Sequence, residues 1–314
     1  GSESKLMTWK TRGNVAVIIG IPALLVLLQP DVGSVLVFVG FVFALYREGL
    51  SGNILLIGLA AIVLGSSSII AGSNKITLPL VGETTGVAWI MISIAVLCWI
   101  SIMFIRNFVP PRNRRTLYIV TLSAGIAASS FSFGVNYIVD HVLKDHHKTR
   151  IYVLFGLELP PELQERNSDP GYNARMAKAT VGSGGLFGHG FAKGPMTQSH
   201  FVPEQWTDFI FSAVAEEWGF VGCFIVIGLF VFLIIRIINM AERQRSAFSR
   251  IYGYGVASIL LMHLIINVGM VIGLAPIIGI PLPFFSYGGS SLMAFTILIF
   301  IMLRLDAERL NIFK

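Results

Sequence analysis

Long runs of apolar residues separated by short polar clusters dominate the chain. Eight runs stand out, over residues 13–29, 32–46, 52–72, 87–107, 115–139, 209–239, 252–275 and 286–305. A helix of about 20 apolar residues crosses a hydrocarbon core of about 30 Å. The pattern therefore predicts an all-α polytopic membrane protein with about eight transmembrane helices. The first two runs are short, and only Gln29-Pro30-Asp31 separates them. Pro30 ends one helix and Asp31 can cap the next, which predicts a re-entrant hairpin or two tilted spans. The sixth run is long and carries Glu216, Glu217 and Gly219 early. That placement predicts a polar, protein-enclosed first part and a lipid-facing remainder.

One long segment breaks the pattern. Residues 140–208 mix charges, His141, His146, His147, a Pro160-Pro161 break and the glycine-dense stretch Gly182-Ser183-Gly184-Gly185-Leu186-Phe187-Gly188-His189-Gly190. A structureless loop of that length is unusual in a compact protein, so short helices folded back on the membrane surface are expected. The chain reads as a single membrane domain: N-terminal spans over 1–139, the loop over 140–208 and C-terminal spans over 209–314.

Composition sharpens this picture. Of the 314 residues 54% are hydrophobic and 13% charged, against about 25% charged in a soluble domain, which excludes a soluble enzyme. The formal charge of +6 first has to be sorted by side of the bilayer. With the N-terminus placed in the cytoplasm, every basic residue except Lys75 and those of the 140–208 loop falls on the cytoplasmic side. Both termini are then inside and the loop outside, and the basic excess reflects topology rather than nucleic-acid binding. Cys98 and Cys223 lie inside apolar runs and imply neither a disulfide framework nor a metal cluster. His141, His146 and His147 lack zinc-ligand spacing. No nucleotide-binding glycine motif follows a strand, so an ATP-driven pump is not supported.

Ionisable side chains at membrane depth are costly and are functional candidates by default. Glu204, Thr207 and Asp208 lie where the loop enters the sixth span, within reach of both a lipid headgroup and a water-soluble group. A carboxylate such as Asp208 can act there as a general base or ligate a cation. The competing assignment makes Asp208 or Thr207 the cap of a helix starting at Phe209. Glu216 and Glu217 point about 100° apart on a helix and cannot both face lipid cheaply; tying neighbouring helices together is the commoner role for such a pair. Asn267, with His263 one turn earlier and Met270 one turn later, marks either a site or an interhelical contact. In Gly279–Ser291, Pro281 and Pro283 break the backbone before Ser286, Tyr287, Gly288, Gly289 and Ser290 open the last span. Broken backbone at membrane depth must be buried or line a wet cavity, and a helix start suits an anion such as a diphosphate. Lys178, Arg175, Lys193 and His200 can neutralise a diphosphate or simply be solvated.

Six strings together carry a resemblance: Gln29-Pro30-Asp31-Val32-Gly33-Ser34; Gly182 to Phe191; Phe201-Val202-Pro203-Glu204 through Asp208-Phe209-Ile210-Phe211; Ala215-Glu216-Glu217-Trp218-Gly219; Asn267 to Gly273; and Pro281 to Ser290. In this order they resemble the SEDS family (shape, elongation, division, sporulation). Gln29 ahead of Pro30-Asp31 is closer to the elongation branch than to the division branch. The resemblance implies a peptidoglycan glycosyltransferase of the bacterial cytoplasmic membrane that polymerises lipid II on the outer face. It implies as partner a class B penicillin-binding protein transpeptidase, with other membrane proteins of the elongation complex.

The family's essential aspartate matches Asp208. The resemblance also puts Lys178, Gly184, Gly185, Glu204, Thr207, Glu216, Glu217, Asn267, Ser286, Tyr287, Gly288, Gly289 and Ser290 around the substrate cavity. A diphosphate leaving group invites a divalent cation, Mg²⁺ or Mn²⁺, for which no dedicated ligand set is visible. Three departures from the family are expected to matter. Spans usual ahead of the Gln-Pro-Asp motif are not seen, and the chain is expected to be a C-terminal fragment or the product of an N-terminally truncated gene. Residues 52–150 read as an insertion of two spans. Met176-Ala177 stand where Gln-Ser is common. Two other functions remain in view, a lipid II flippase and a non-catalytic scaffold that recruits a transpeptidase; a flippase often shows internal repeats, and none is visible here.

Overall fold

The computed structural model describes residues 9–29, 31–73, 75–78, 82–143, 145–155, 157, 172–199 and 204–309. Pro30, Pro160-Pro161, His200 and Pro203 lie outside them. The chain forms two compact units, with residues 53–168 set between the two arms, 1–52 and 169–314, of the other.

The two-armed unit begins with α1 (Trp9–Leu28), α2 (Val32–Val39) and α3 (Phe41–Arg47). Asp31 caps α2 as its position predicts: Oδ1 accepts from the Ser34 N–H at 3.0 Å, and the Ser34 hydroxyl donates to Oδ2 at 2.6 Å. The next helix, α4 (Gly52–Ser73), leads into the inserted unit. There β1 (Lys75–Leu78) and β2 (Gly82–Thr85) pair antiparallel, with Lys75 opposite Thr85 and Leu78 opposite Gly82. This hairpin escapes a reading based on long apolar runs, because each strand has four residues. α5 (Gly86–Phe108) and α6 (Pro111–Tyr137) follow, the latter continued by a π turn (Ile138–Val142), and then α7 (Asp145–Phe155). α5 and α6 approach closely where Gly125 meets the Cys98 thiol. Cys98 Sγ lies 3.7 Å from the Thr121 carbonyl as a weak donor.

The second arm holds α8 (Tyr172–Ser183), the single turn α9 (Pro195–Gln198), α10 (Ile210–Glu242), α11 (Ala247–Ile272) and α12 (Gly289–Ala307). The short helices expected in the 140–208 loop are therefore present as α7, α8 and α9. α10 and α11 form the core of this unit, with Ile234, Ile237 and Ala241 buried together with Val256, Leu260 and Leu264. Ala177 of α8 is fully buried in the same cluster and Met176 packs against it. The apolar pair that replaces Gln-Ser thus supplies core contacts.

Among the described residues, six helical stretches are long and apolar enough to cross a membrane: Gly52–Ser73, Gly86–Phe108, Pro111–Val142, Ile210–Glu242, Ala247–Ile272 and Gly289–Ala307. The other two expected spans are shorter apolar helices, Gly13–Leu28 and Gly33–Arg47. The second of these is interrupted at Gly40, which lies against Met262 and the Ser258 carbonyl of α11 with no space for a Cβ.

Ion pairs gather where α3, α10 and α12 end and α11 begins. Arg47 forms a two-oxygen pair with Glu242 at 2.9 Å, and Glu242 also accepts from the Tyr254 hydroxyl. Arg250 pairs with Glu48 at 2.9 Å, and Asp306 accepts from Arg243, Gln244 and Arg309. The opposite end of the same helices carries the segments singled out by sequence.

Candidate functional site

Residues 204–209 make a tight turn ahead of α10. Glu204 adopts a left-handed backbone, φ 53°, and its carbonyl accepts the N–H groups of Thr207 at 3.2 Å and Phe209 at 3.3 Å. The Thr207 hydroxyl donates to the Glu204 carboxylate at 3.0 Å. The N-cap of α10 is Phe209, with no side-chain capping bond. Neither Thr207 nor Asp208 is the N-cap of α10.

Three consecutive carbonyls of this turn are each held by a donor from one neighbouring region. The Tyr287 N–H donates to Trp206 at 2.8 Å, the Ser286 hydroxyl to Thr207 at 2.6 Å, and the Asn267 amide to Asp208 at 2.8 Å. Asn267 also donates to the Ile280 carbonyl at 2.7 Å, and Ser286 Oγ accepts the Leu282 N–H at 2.7 Å. The proline-broken segment is thus stitched between the end of α11 and the Asp208 turn. The Ile280 carbonyl and the Leu282 and Tyr287 N–H groups of this irregular backbone find partners within the protein, as backbone at membrane depth requires. Gly279 has φ 69°, and a Cβ there would sit 3.1 Å from Asp208 Oδ2. The close approach and the left-handed backbone both call for glycine. Gly33, from the Gln-Pro-Asp string, lies against the same segment, its Cβ position 2.7 Å from the Ile278 carbonyl.

A second cluster centres on Glu216, which is fully buried. Its carboxylate accepts the N–H groups of Met196 and Thr197, each at 2.8 Å, together with the Thr197 hydroxyl. It fills the N-terminal turn of α9, where free N–H groups favour an anion. Glu216 is therefore committed to holding the loop and does not line a cavity, because its acceptors are taken by backbone donors. Glu217 is half-buried.

α10 breaks just beyond, at Gly219 (φ 64°, ψ −163°), a conformation essentially confined to glycine. The glycine-rich loop completes the interrupted ladder. His189 and Gly190 donate to the carbonyls of Glu216 at 3.0 Å and Glu217 at 2.9 Å, while Phe220 and Val221 donate to Gly185 at 2.9 Å and Leu186 at 3.1 Å. Gly184 is buried against the Ala215 carbonyl, and Gly185 is exposed. Gln205, which sequence reasoning passed over, joins the two clusters: it is buried, and its amide donates to the Thr197 carbonyl at 3.1 Å. A polar residue between Glu204 and Trp206 gave no signal of that long-range contact.

The remaining candidates divide. Lys178 runs its exposed side chain past Gly273 at the C-terminus of α11. Tyr287 is 81% exposed, and Gly288, Gly289 and Ser290 form the open start of α12, where Gly288 is the N-cap without a side-chain bond. His263 turns away from the site, with its ring edge-on to Phe295 at 4.9 Å and Nδ1 2.9 Å from the Ile259 carbonyl of its own helix. Among the described residues, no group of three His, Cys, Asp or Glu is placed to hold a metal ion.

Comparison with known proteins adds three findings. A family model named for FtsW, RodA and SpoVE and described as cell cycle protein matches residues 84–311. That match takes in most of 52–150. The peptidoglycan glycosyltransferase RodA of Treponema pallidum is 34% identical over 198 residues, 63% of this chain and 44% of that protein. The peptidoglycan glycosyltransferase MrdB of Escherichia coli is 41% identical over 155 residues, 48% of this chain and 40% of that protein. The chain spans less than half the length of these relatives. The crystal structure of Thermus thermophilus rod shape determining protein RodA aligns with 97% of this chain and 98% of its own at 22% identity, with a TM-score of 0.34.

Proposed function

Since the chain belongs to the FtsW, RodA and SpoVE family, we propose that it takes part in peptidoglycan glycosyl transfer, polymerising lipid II at the outer face of the bacterial cytoplasmic membrane. The observation that carries this reading is the seating of Asp208. Its backbone carbonyl and those of the two residues before it are each fixed by a separate donor, and its carboxylate is not the cap of α10.

In the transfer, a sugar hydroxyl of one substrate attacks the anomeric carbon of another. The carbon–oxygen bond to the lipid diphosphate breaks, and the diphosphate leaves with its electron pair. The hydroxyl proton goes to the Asp208 carboxylate, which acts as general base. Asn267, Ser286 and Gly279 are positioning groups, because fixing a base near its target accounts for much of a catalyst's effect. A bound divalent cation would supply charge neutralisation of the diphosphate. Asp208 offers one carboxylate, which fits a cation held mainly by substrate phosphates and water rather than a protein cage.

The basic residues that flank the other ends of α10, α11 and α12 support an outward position for Asp208. The expected partner is a class B penicillin-binding protein transpeptidase, and the elongation role is favoured over division by Gln29. The test is polymerisation of purified lipid II by this chain and by its Asp208→Ala variant. A loss of about 10²- to 10⁴-fold is expected from removing a general base, and equal rates would show that Asp208 is not the base.

A further inference from the structure

The glycine-rich loop presents an unusual surface for a connection. Leu186 is 65% exposed, Phe187 80% and Phe191 74%. They are not held by a floppy tether, because the four backbone bonds described above fix the loop to both sides of the break in α10. The neighbouring surface of α10 is also apolar and exposed, at Trp218, Phe220 and Phe224.

The depth of this patch follows from helix length. Past the break at Gly219, α10 continues unbroken over residues 220–242, about 35 Å at 1.5 Å per residue, enough to cross a hydrocarbon core of about 30 Å. Its far end is marked by the pair of Glu242 with Arg47. Counting back from there, about 20 residues cross the core and bring the outer boundary to the neighbourhood of Gly222. Leu186 accepts from Val221, one residue away.

We infer that the tip of the glycine-rich loop is a fixed membrane-inserted wedge, with Leu186, Phe187 and Phe191 seated among the acyl chains of outer-leaflet lipids beside the break in α10. The occupant is bilayer lipid, because the patch is continuous with the exposed apolar face of a helix long enough to span. A cation, Lys193, and the exposed His189 lie on the same loop, a composition that suits the headgroup boundary.

The inference rests on α10 spanning the bilayer, so the experiment reads both. The full chain with Cys98→Ala and Cys223→Ala receives one cysteine at Phe187, Phe191, Phe232 or Ser199, each labelled with an environment-sensitive fluorophore and reconstituted in phosphatidylcholine and phosphatidylglycerol vesicles. Phe232 is an exposed mid-helix position and Ser199 an exposed turn. Brominated lipids are expected to quench the probes at 187 and 191 to at least about half the extent seen at 232, with shallow bromines more effective than deep ones, and to leave 199 unquenched. Probes at 187 and 191 that behave like 199 while 232 is quenched overturn the wedge alone. Absence of quenching at 232 as well overturns it together with the spanning assignment.

Discussion

Asn267 satisfies two main-chain carbonyls, those of Asp208 and Ile280, and does so with one amide group while its own Oδ1 is buried without a partner among the described residues. Such an unbalanced side chain is tolerated where it fixes something that matters. Asn267→Ala would leave both carbonyls without this donor, at about 1–3 kcal/mol for each buried group, and release the Asp208 turn. Thermal unfolding should drop by several degrees, and polymerisation should fall with it. Asp208→Ala is expected to separate the two readouts. Its side chain is half-buried, and activity should collapse by a far larger factor than any accompanying fall in melting temperature accounts for. Gly279→Ala tests the approach itself. With φ 69° and a Cβ 3.1 Å from the Asp208 carboxylate, the added methyl costs about 1–2 kcal/mol in backbone strain and displaces the reacting oxygens. Activity should fall further than that stability loss alone accounts for, which a melting curve beside a rate measurement would show.

At the scale of elements, the break in α10 and the glycine-rich loop are one structure. Gly219→Ala forces a Cβ into the Leu186 backbone at a φ/ψ pair that alanine avoids. The four loop-to-helix bonds should be lost together, and limited proteolysis should cut within 184–194 in the variant and not in the parent. Glu216→Ala should have the same signature by another route, since it removes the acceptor for two backbone N–H groups of α9. The sequence shows part of this in advance. The polar start of α10 is legible from Glu216, Glu217 and Gly219, and α4, α5 and α11 begin and end close to the apolar runs that predict them. What it does not show are pairings between distant segments: Gln205 with Thr197, Asn267 with Asp208, and Glu216 with the backbone of α9. Each joins residues without a common period, and each is made only when the helices pack. Glu216 is instructive, because a buried carboxylate signals function in general, yet here its bonding partners make it a structural clamp. The strands β1 and β2 stayed hidden for a different reason, being too short to register beside spans of 20 residues.

On the scale of the whole chain, the two-armed unit is chemically polarised. The carboxylate–guanidinium pairs of Glu242, Glu48 and Asp306 collect at one end of α10, α11 and α12, and the Asp208 turn with its donors lies at the other. Exposed ion pairs contribute little to stability individually, but Asp306 is well shielded and accepts from three side chains. The basic residues at this end favour the cytoplasmic side in the proposed orientation. This polarity has a direct consequence for labelling. In the chain lacking its own cysteines, Arg245→Cys lies in the exposed turn between α10 and α11, and Ser199→Cys lies in the exposed turn before α10. Only α10 separates them along the chain as a full-length span. A membrane-impermeant thiol reagent should therefore modify position 199 in intact spheroplasts and position 245 only in inverted vesicles. Modification of both from the same side would mean that α10 does not cross, and Asp208 would lose its outward position. Opposite-side labelling would place the carboxylate at the face where a lipid-linked sugar and its diphosphate are both within reach.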